Sequence, residues 1–234
     1  MKHYLMVDLG TGNSRVALVD SDGGILGLRT YTNVYHRDSA SEDGQYFLPE
    51  DWAALLLQGC RELCREHPDV QVNAVSAAGA RQSFVLLDGN GRAFLGLPNI
   101  DNRGRAYMAQ VPEHDEIYRL SGKWATEDFG AAKLLGLRMK HPEQYEAVES
   151  VLSLSEWIAW IFTGRKVMEY TQACESQLYD IGQRSWSRTL CSFYGLRPEF
   201  LPPLQAAGTA VGPILDTYRR ELGMAKDAVF VLGG

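Results

Sequence analysis

The sequence lacks the features that membrane-spanning and nucleic-acid-binding chains require. No apolar run approaches the roughly 18 residues of a membrane-spanning helix. Lys and Arg form no cluster, in a chain whose formal net charge is −6. Nucleic acid is bound through concentrated positive charge. These absences predict a protein that spans no membrane and has no nucleic-acid partner.

Cysteine is scarce, with four residues in a chain of 234. Cys60 and Cys64 lie four apart on a predicted helix, whereas Cys174 and Cys191 stand alone. No Cys-x-x-Cys or mixed Cys/His spacing typical of a metal site occurs. We therefore expect reduced thiols with structural roles. Together with an N-terminal sequence that leads directly into a predicted strand, this favours a cytoplasmic location.

Two common nucleotide-binding motifs are missing as well. The chain has neither Gly-x-x-x-x-Gly-Lys-Ser/Thr nor Gly-x-Gly-x-x-Gly after a strand, so the P-loop and the dinucleotide-binding fold lose their main support. The composition is that of a globular protein, with 45% hydrophobic and 22% charged residues. The length suits one large domain, or one domain and part of another.

The most informative stretch is a polar turn between two short apolar runs near the N-terminus. Residues 4–7 and 16–19 have the composition of strands, and the glycine-containing turn between them predicts a β-hairpin. Such a turn presents backbone N–H groups to an anion, and an arginine adds charged donors. A hydrated Mg²⁺ binds through one or two carboxylates and phosphate oxygens. The candidate phosphate-loop residues are Asp8, which is also the candidate metal ligand, Gly10, Thr11, Gly12, Asn13 and Arg15.

A lone Gly-x-Gly would favour an ordinary polar hairpin with a surface acid and arginine, because short motifs often occur by chance. Here the flanking strands, the hydroxyl groups, the acid and the arginine occur together. Their combination favours a nucleotide-phosphate loop.

Hydrophobic periodicity predicts an α/β chain that begins with antiparallel strands. Residues 36–47 are polar and predict a loop. The predicted elements after the hairpin are a strand at 25–34, a helix from Pro49 to the residue before Pro68, a strand at 70–78, a hairpin at 84–95, mainly helices at 104–162 with a short strand near 151–154, and helices at 186–194 and 216–222.

The last residues form a continuous apolar run, 228–232, followed by Gly233 and Gly234. Such a run predicts a strand that is covered on both faces, and the two glycines predict the start of a turn. Because a folded protein rarely ends at such a point, we expect the chain to be the front part of a longer protein.

The polar hairpin resembles the phosphate-binding hairpin of the actin-like ATPase superfamily, whose pattern is Asp-x-Gly-Thr followed by small polar residues. Within that superfamily, residues 8–15 are most similar to the FGGY carbohydrate kinases. The helix start at 129–135 resembles a Pro-Lys-Leu segment of that family, with Ala132 in place of the proline. Further segments similar to FGGY segments, in the same order along the chain, are 78–83, 155–157 with 163–164, 179–180 with 185–187, and 208–209 with 211–212.

This resemblance implies a fold and a reaction. The fold is α/β, a ribonuclease H-like (actin-like ATPase) domain with a mixed five-stranded sheet flanked by helices, over residues 1–234. The reaction is phosphoryl transfer from ATP, with Mg²⁺, to a hydroxyl of a small sugar or polyol. A homodimer is compatible with it.

The resemblance also implies that the catalytic machinery is incomplete. The family places its general-base Asp in a Gly-Gly-x-Asp-like turn directly after a buried strand. Here that Asp would follow Gly234, so no catalytic residue is expected within the chain. The C-terminal nucleotide-binding domain would also be absent, and the chain is therefore predicted to be inactive alone.

The sugar-binding residues implied by the resemblance are Arg81, Gln82 and Asp101. Relatives carry Arg-Glu or Met-His at the first two positions, so Gln82 departs from the pattern, and a surface loop remains the alternative for both. Asp101 lies in Asn-Ile-Asp-Asn-Arg, which is similar to the Asn-Val-Asp-Ala-Arg of autoinducer-2 kinases. This favours that subgroup or a xylulokinase-like relative. A loop or cap carboxylate is the alternative for Asp101.

Other polar and aromatic residues have simpler interpretations. We expect Arg103 and Arg105 to be solvated or ion-paired, and Tyr118 and Trp124 to pack in the core rather than line a sugar pocket. Two functions from other classes stay open, because fold does not fix function. They are a non-catalytic sugar sensor on the same fold and another actin-like ATPase.

Overall fold

The structure, a computed structural model, describes residues 1–233, and the second glycine of the predicted turn, Gly234, lies outside them. No helix among the described residues has the length and apolar character needed to cross a membrane.

The strands of the described residues are β1 (His3–Leu9), β2 (Asn13–Asp20), β3 (Ile25–Thr32), β4 (His36–Arg37), β5 (Gln45–Tyr46), β6 (Val72–Gly79), β7 (Phe84–Leu87), β8 (Ala93–Leu97), β9 (Ser150–Ser153), β10 (Met168–Glu169), β11 (Tyr179–Asp180), β12 (Ser185–Trp186), β13 (Leu204–Gln205), β14 (Ala210–Pro213) and β15 (Val229–Val231). The α-helices are α1 (Pro49–Glu66), α2 (His114–Ser121), α3 (Gly130–Lys140), α4 (Pro142–Glu146), α5 (Leu154–Thr163), α6 (Tyr170–Glu175), α7 (Arg188–Phe193) and α8 (Asp216–Glu221), and a 3₁₀ helix spans Arg105–Gln110.

The central sheet has six strands in the order β14-β15-β6-β1-β2-β3. The polar turn joins β1 and β2 as an antiparallel hairpin, as predicted, and β3 pairs antiparallel with β2. β6 runs parallel to β1, and β15 runs parallel to β6. The sheet is therefore mixed, with three adjacent parallel strands at its centre.

One face of this sheet packs on helices and forms the first core. Alternate residues of β1, Leu5, Val7 and Leu9, are buried, as expected for a strand with one face on the core. The apolar stripe of α1 covers them, and α5 completes the cluster. The opposite face is more open, with Met6 and Leu28 exposed. Helical spacing alone predicted the stripe of α1.

A second sheet, β8-β7-β9, lies between two cores. All four residues of its middle strand β7 are buried. Val85 and Leu87 belong to the first core, whereas Phe84 and Leu86 belong to a second core. That second core also includes residues of α2, α3 and α7. This sheet fixes the position of residues 98–104, which follow β8.

The predicted fold class is confirmed, but the strand count of the main sheet was wrong. Six strands are present rather than five, because β14 forms an edge strand that the sequence did not predict. Its sequence, Ala-Val-Gly-Pro, contains two residues that are unfavourable in a strand interior, yet Pro is tolerated at an edge.

The expected full burial of the last strand was also wrong. Phe230 is buried, whereas Val229 and Val231 on the other face are only half-buried. The polar segment 36–47 contains the short pair β4 and β5 rather than only loop.

Candidate functional site

The three parallel strands β1, β6 and β15 are adjacent in the central sheet, and their carboxyl ends lie side by side. Asp8, near the end of β1, lies opposite Ala78, near the end of β6. Val231, at the end of β15, lies opposite Ser76 of β6. The segments that follow these strands therefore leave the sheet at the same end. In open α/β sheets, ligands bind at the carboxyl ends of the strands.

The first of these segments is the hairpin turn that the sequence singled out. Its shape is fixed locally, since the Gly10 N–H donates to the Asn13 carbonyl at 3.0 Å and the Asn33 side chain donates to the Gly10 carbonyl at 2.8 Å. A Cβ at Gly10 would lie 3.1 Å from that Asn13 oxygen. The backbone N–H groups of Thr11 and Gly12 have no protein acceptor within residues 1–233. Free N–H groups at a turn suit an anion.

Asp8 and Arg15 face each other across this hairpin. They are register partners, and Arg15 Nη1 donates to Asp8 Oδ2 at 2.9 Å. Both side chains are about half exposed, at 53% for Asp8 and 43% for Arg15. The carboxylate is therefore accessible, and its Oδ1 is available for a hydrated cation. Among the described residues no group of three or more His, Cys, Asp or Glu could hold a metal ion.

The second segment follows β6. The Ala80 N–H donates to the Leu9 carbonyl at 2.7 Å, which ties this segment to the base of the hairpin. Arg81 is exposed, and Gln82 has a left-handed backbone with φ of 63°. Such a conformation is uncommon for a residue other than glycine, and it concentrates at functional sites. Ser83, the next residue, is buried.

Asn99 joins the two segments, and the sequence analysis did not single it out. Its side-chain Nδ2 donates to Thr11 Oγ1 at 2.9 Å, and its backbone N–H donates to Ser83 Oγ at 2.9 Å. From the sequence, Asn99 was recognised only as part of a polar segment. A hydrogen bond between residues 88 positions apart cannot be predicted from the local sequence pattern.

Lys133 of α3 binds the backbone of residues 99–101. It is fully buried, and its ammonium group donates to the carbonyl oxygens of Asn99 and Asp101. Burial lowers the pKa of Lys133 to about 8, although the nearby Asp101 carboxylate acts in the opposite direction.

Asp101 lies in a buried ionic network. One oxygen accepts from the Gln45 N–H at 2.8 Å, and the other accepts from Arg103 Nε at 2.8 Å. Arg103 also lies 3.3 Å from the Asp38 carboxylate, which contacts His141 at 2.8 Å. The structure records no hydrogen bond from Asp101 to Arg81 or Gln82. The sugar-binding role of Asp101 stays a prediction, and a sugar hydroxyl would share an oxygen that already has a partner.

The expectations for nearby arginines and aromatic residues had different outcomes. Arg103 and Arg105 are ion-paired, and Arg103 is buried rather than solvated.

The expected core packing of Tyr118 and Trp124 was wrong. Their rings stack on each other, with centroids 4.5 Å apart, and the side chains are 45% and 55% exposed. Aromatic composition alone did not reveal that the two rings cover each other outside the core.

Gly233 leaves β15 at the same edge of the sheet. A Cβ there would lie 1.9 Å from the Ala77 carbonyl oxygen, so only glycine fits without a backbone shift. The strand and its first glycine thus lie beside the end of β6. The expected general base is outside the described residues.

Comparison with known proteins gives a family for the whole chain. Residues 3–234 match the FGGY family of carbohydrate kinases, N-terminal domain. A Bacillus subtilis (strain 168) protein named "Putative sugar kinase YoaC" is 39% identical over 100% of this chain and 48% of its own length. Autoinducer-2 kinase of Salmonella choleraesuis (strain SC-B67) is 28% identical over 99% of this chain and 45% of its own length. The chain spans about half the length of the curated relatives it matches.

Solved structures share the fold. A ligand-bound xylulose kinase from Lactobacillus acidophilus has a TM-score of 0.88 at 20% identity, over 100% of this chain and 48% of its own. Glycerol kinase of Plasmodium falciparum with ADP has a TM-score of 0.86 at 15% identity, again over 100% of this chain and 48% of its own. At these identities the likeness shows the fold alone.

Proposed function

The chain belongs to the FGGY family of carbohydrate kinases, and on that premise we propose that it forms the sugar-binding and phosphate-loop half of an ATP-dependent kinase. The reaction is transfer of a phosphoryl group from ATP to a hydroxyl of a small sugar or polyol. Such transfer depends on positioning the reactants and on neutralising charge. The polar groups at the carboxyl ends of the parallel strands are suited to both tasks.

The convergence of three parallel strand ends is the observation that carries this proposal. The ends of β1 and β6 bring together the polar hairpin and the segment with Arg81 and Gln82. The end of β15 brings Gly233 to the same edge. A phosphate loop, the polar segment with Arg81 and Gln82, and a turn for a general base would thus lie at the same end of the sheet.

ATP and Mg²⁺ fit the hairpin by the chemistry of its groups. The free N–H groups of Thr11 and Gly12, together with Arg15, offer donors to phosphate oxygens. Asn13 and Gly10 maintain the turn. Asp8 offers one accessible carboxylate, and phosphate oxygens and water would complete the coordination of Mg²⁺. The ion would neutralise phosphate charge when bound.

The sugar is assigned to the segment after β6. Arg81 is exposed and Gln82 is fixed in an unusual backbone conformation beside the hairpin. Asp101 is proposed as a further contact through the carboxylate that Arg103 orients. Autoinducer-2 precursors and xylulose are the substrate classes that we propose. An autoinducer-2 kinase is among the relatives, and the sequence of residues 99–103 favours that subgroup or a xylulokinase-like relative.

We further propose that the chain alone is inactive, because its general base and adenine site would come from the rest of a longer protein. A homodimer and a cytoplasmic location stay predictions. A non-catalytic sugar sensor is the alternative that an activity test separates from the kinase.

The test is identification of the product by mass spectrometry after incubation with ATP and Mg²⁺. The full-length gene product should add one phosphoryl group to a sugar, and the 234-residue chain should add none. Arg81→Ala in the full-length protein should raise the KM for sugar with little change in the KM for ATP. The matched control is Arg92→Ala, because Arg92 is an exposed arginine in the turn between β7 and β8. Sugar binding without product would support the sensor and contradict the kinase.

A further inference from the structure

Asn99 connects three parts of the proposed site. Its side-chain amide contacts Thr11 of the hairpin, its backbone N–H contacts Ser83 beside the sugar segment, and its carbonyl accepts from Lys133 at 3.3 Å. The residue lies two positions after the end of β8, a strand that pairs with β7 in the second sheet. The hairpin and the segment with Arg81 and Gln82 are therefore linked through one residue, by its side chain on one side and its backbone on the other.

The amide of Asn99 is only half satisfied. Its Nδ2 donates to Thr11 Oγ1, whereas its Oδ1 is buried and has no hydrogen-bond partner. Buried polar atoms are nearly always paired, and an unpaired acceptor is unfavourable. The side chain is thus oriented with its amide donor toward Thr11, and this orientation leaves Oδ1 unpaired.

The contact has a consequence for the Thr11 hydroxyl. A hydroxyl that accepts one hydrogen bond keeps its own proton for a second partner. Within residues 1–233 the structure records no acceptor for that proton. The free backbone N–H groups of Thr11 and Gly12 lie in the same turn. Three donors are therefore available to one ligand.

We propose that Asn99 is a positioning residue that orients the Thr11 hydroxyl as a donor to a phosphate group of ATP. The proposal rests on the proposed function, since it takes the hairpin to be the phosphate site. It adds a residue outside the hairpin that determines how the hairpin binds and that links it to the sugar segment through Ser83.

The variant Asn99→Asp tests this role with almost no change of shape. An ionised carboxylate only accepts hydrogen bonds, so the Thr11 hydroxyl would donate to it and would be lost to the phosphate. In the full-length gene product, kcat/KM for ATP should fall by about tenfold or more, whereas the KM for sugar should change less than about threefold. The matched control is Asn90→Asp, the same change of charge at an exposed turn, which should behave as wild type.

A second variant tests whether Asn99 acts through Thr11. Thr11→Val removes the hydroxyl, so adding Asn99→Asp to it should lower kcat/KM for ATP less than about threefold further. Thr11→Ser keeps the hydroxyl and should remain sensitive to Asn99→Asp. A merely structural role would instead lower the stability of every variant without separating the two KM values.

Two kinetic results would overturn the proposal. One is an Asn99→Asp protein with the ATP kinetics of Asn90→Asp, and the other is an equal loss in the Thr11→Val background. If no sugar stimulates turnover, the proposed function fails, but the Kd for Mg²⁺-ATP by calorimetry still decides the role of Asn99. A Kd about tenfold weaker in Asn99→Asp supports it, and an unchanged Kd, or a wild type that binds no ATP, contradicts it.

Discussion

The proposed site consists of single residues at the ends of β1 and β6 and in the segments that follow. Asp8, Arg15 and Thr11 were predicted from the hairpin sequence because their order along eight residues reflects their positions in space. Asn99 was not predicted, since its proposed role depends on contacts with Thr11 and Ser83, which are remote in sequence. Asp101 was singled out by resemblance, but its buried pairing with Arg103 depends on tertiary packing that no local pattern encodes.

Asp8 is expected to matter for turnover and little for stability. Its pair with Arg15 is about half exposed, and such pairs contribute less than about 1 kcal/mol. In the full-length protein, Asp8→Ala should lower kcat by about a hundredfold or more, because it removes the proposed Mg²⁺ ligand. Turnover is measured by ADP release, and Asp22→Ala, in the exposed β2–β3 turn, is the control. Wild-type turnover in Asp8→Ala would contradict the assignment of the hairpin.

Arg103 is expected to show the opposite behaviour. Its guanidinium contacts the carboxylates of Asp101 and Asp38. Arg103→Met would leave the fully buried Asp101 without its ion-pair partner and Asp38 with His141 alone. The free energy of unfolding should fall by about 3–5 kcal/mol. Urea denaturation of the chain measures it. Arg105→Met, which removes exposed pairs, should cost less than about 1 kcal/mol. Equal losses in the two variants would show that the buried network does not stabilise the fold.

At the scale of elements, periodicity predicted the long and regular pieces. The hairpin, α1 and β6 follow from alternation or helical spacing within one segment. The edge strand β14 was missed because its four residues include Gly and Pro, and neighbouring strands rather than its own sequence determine its pairing. Short pairs such as β10 with β13 join residues far apart in the chain and were missed for the same reason.

The start of α5 predicts a pH-dependent stability. Glu156 is fully buried, and burial raises its pKa from 4.5 to about 7, while hydrogen bonds from Ser155 and the Glu169 N–H act in the opposite direction. Because the folded-state pKa is the higher one, the folded protein binds more protons than the unfolded chain between these values. The stabilising contribution is thus complete below pH 4.5 and is lost as the pH rises through about 7.

The loss amounts to about 3 kcal/mol as an order of magnitude. Glu156→Gln stays neutral at every pH, so its free energy of unfolding should fall less than that of wild type between pH 5 and pH 8. Urea titrations at several pH values across about 5–8 measure the difference. The control Glu149→Gln, at an exposed position, should keep the wild-type slope. An unchanged slope in Glu156→Gln would show that Glu156 does not titrate in this range.

For the whole molecule, family membership follows from the match over residues 3–234, and the shared fold follows from structures with TM-scores of 0.86 and 0.88. The sequence predicted this fold class because several short segments occur in the family's order. It did not predict which residues of β7 belong to which of the two cores. All four residues are apolar and buried, so their sequence does not show which side chains face each core. We propose that the carboxyl ends of β1, β6 and β15 together form a single kinase site.

The measurement that tests this claim most directly is ADP release by the full-length gene product with ATP, Mg²⁺ and a panel of ketoses, polyols and the autoinducer-2 precursor. We expect one member of the panel to stimulate ADP release and Asp8→Ala to abolish the stimulation. ATP hydrolysis that no sugar affects would contradict it in favour of another ATPase activity, and no use of ATP at all would contradict it in favour of a sugar sensor.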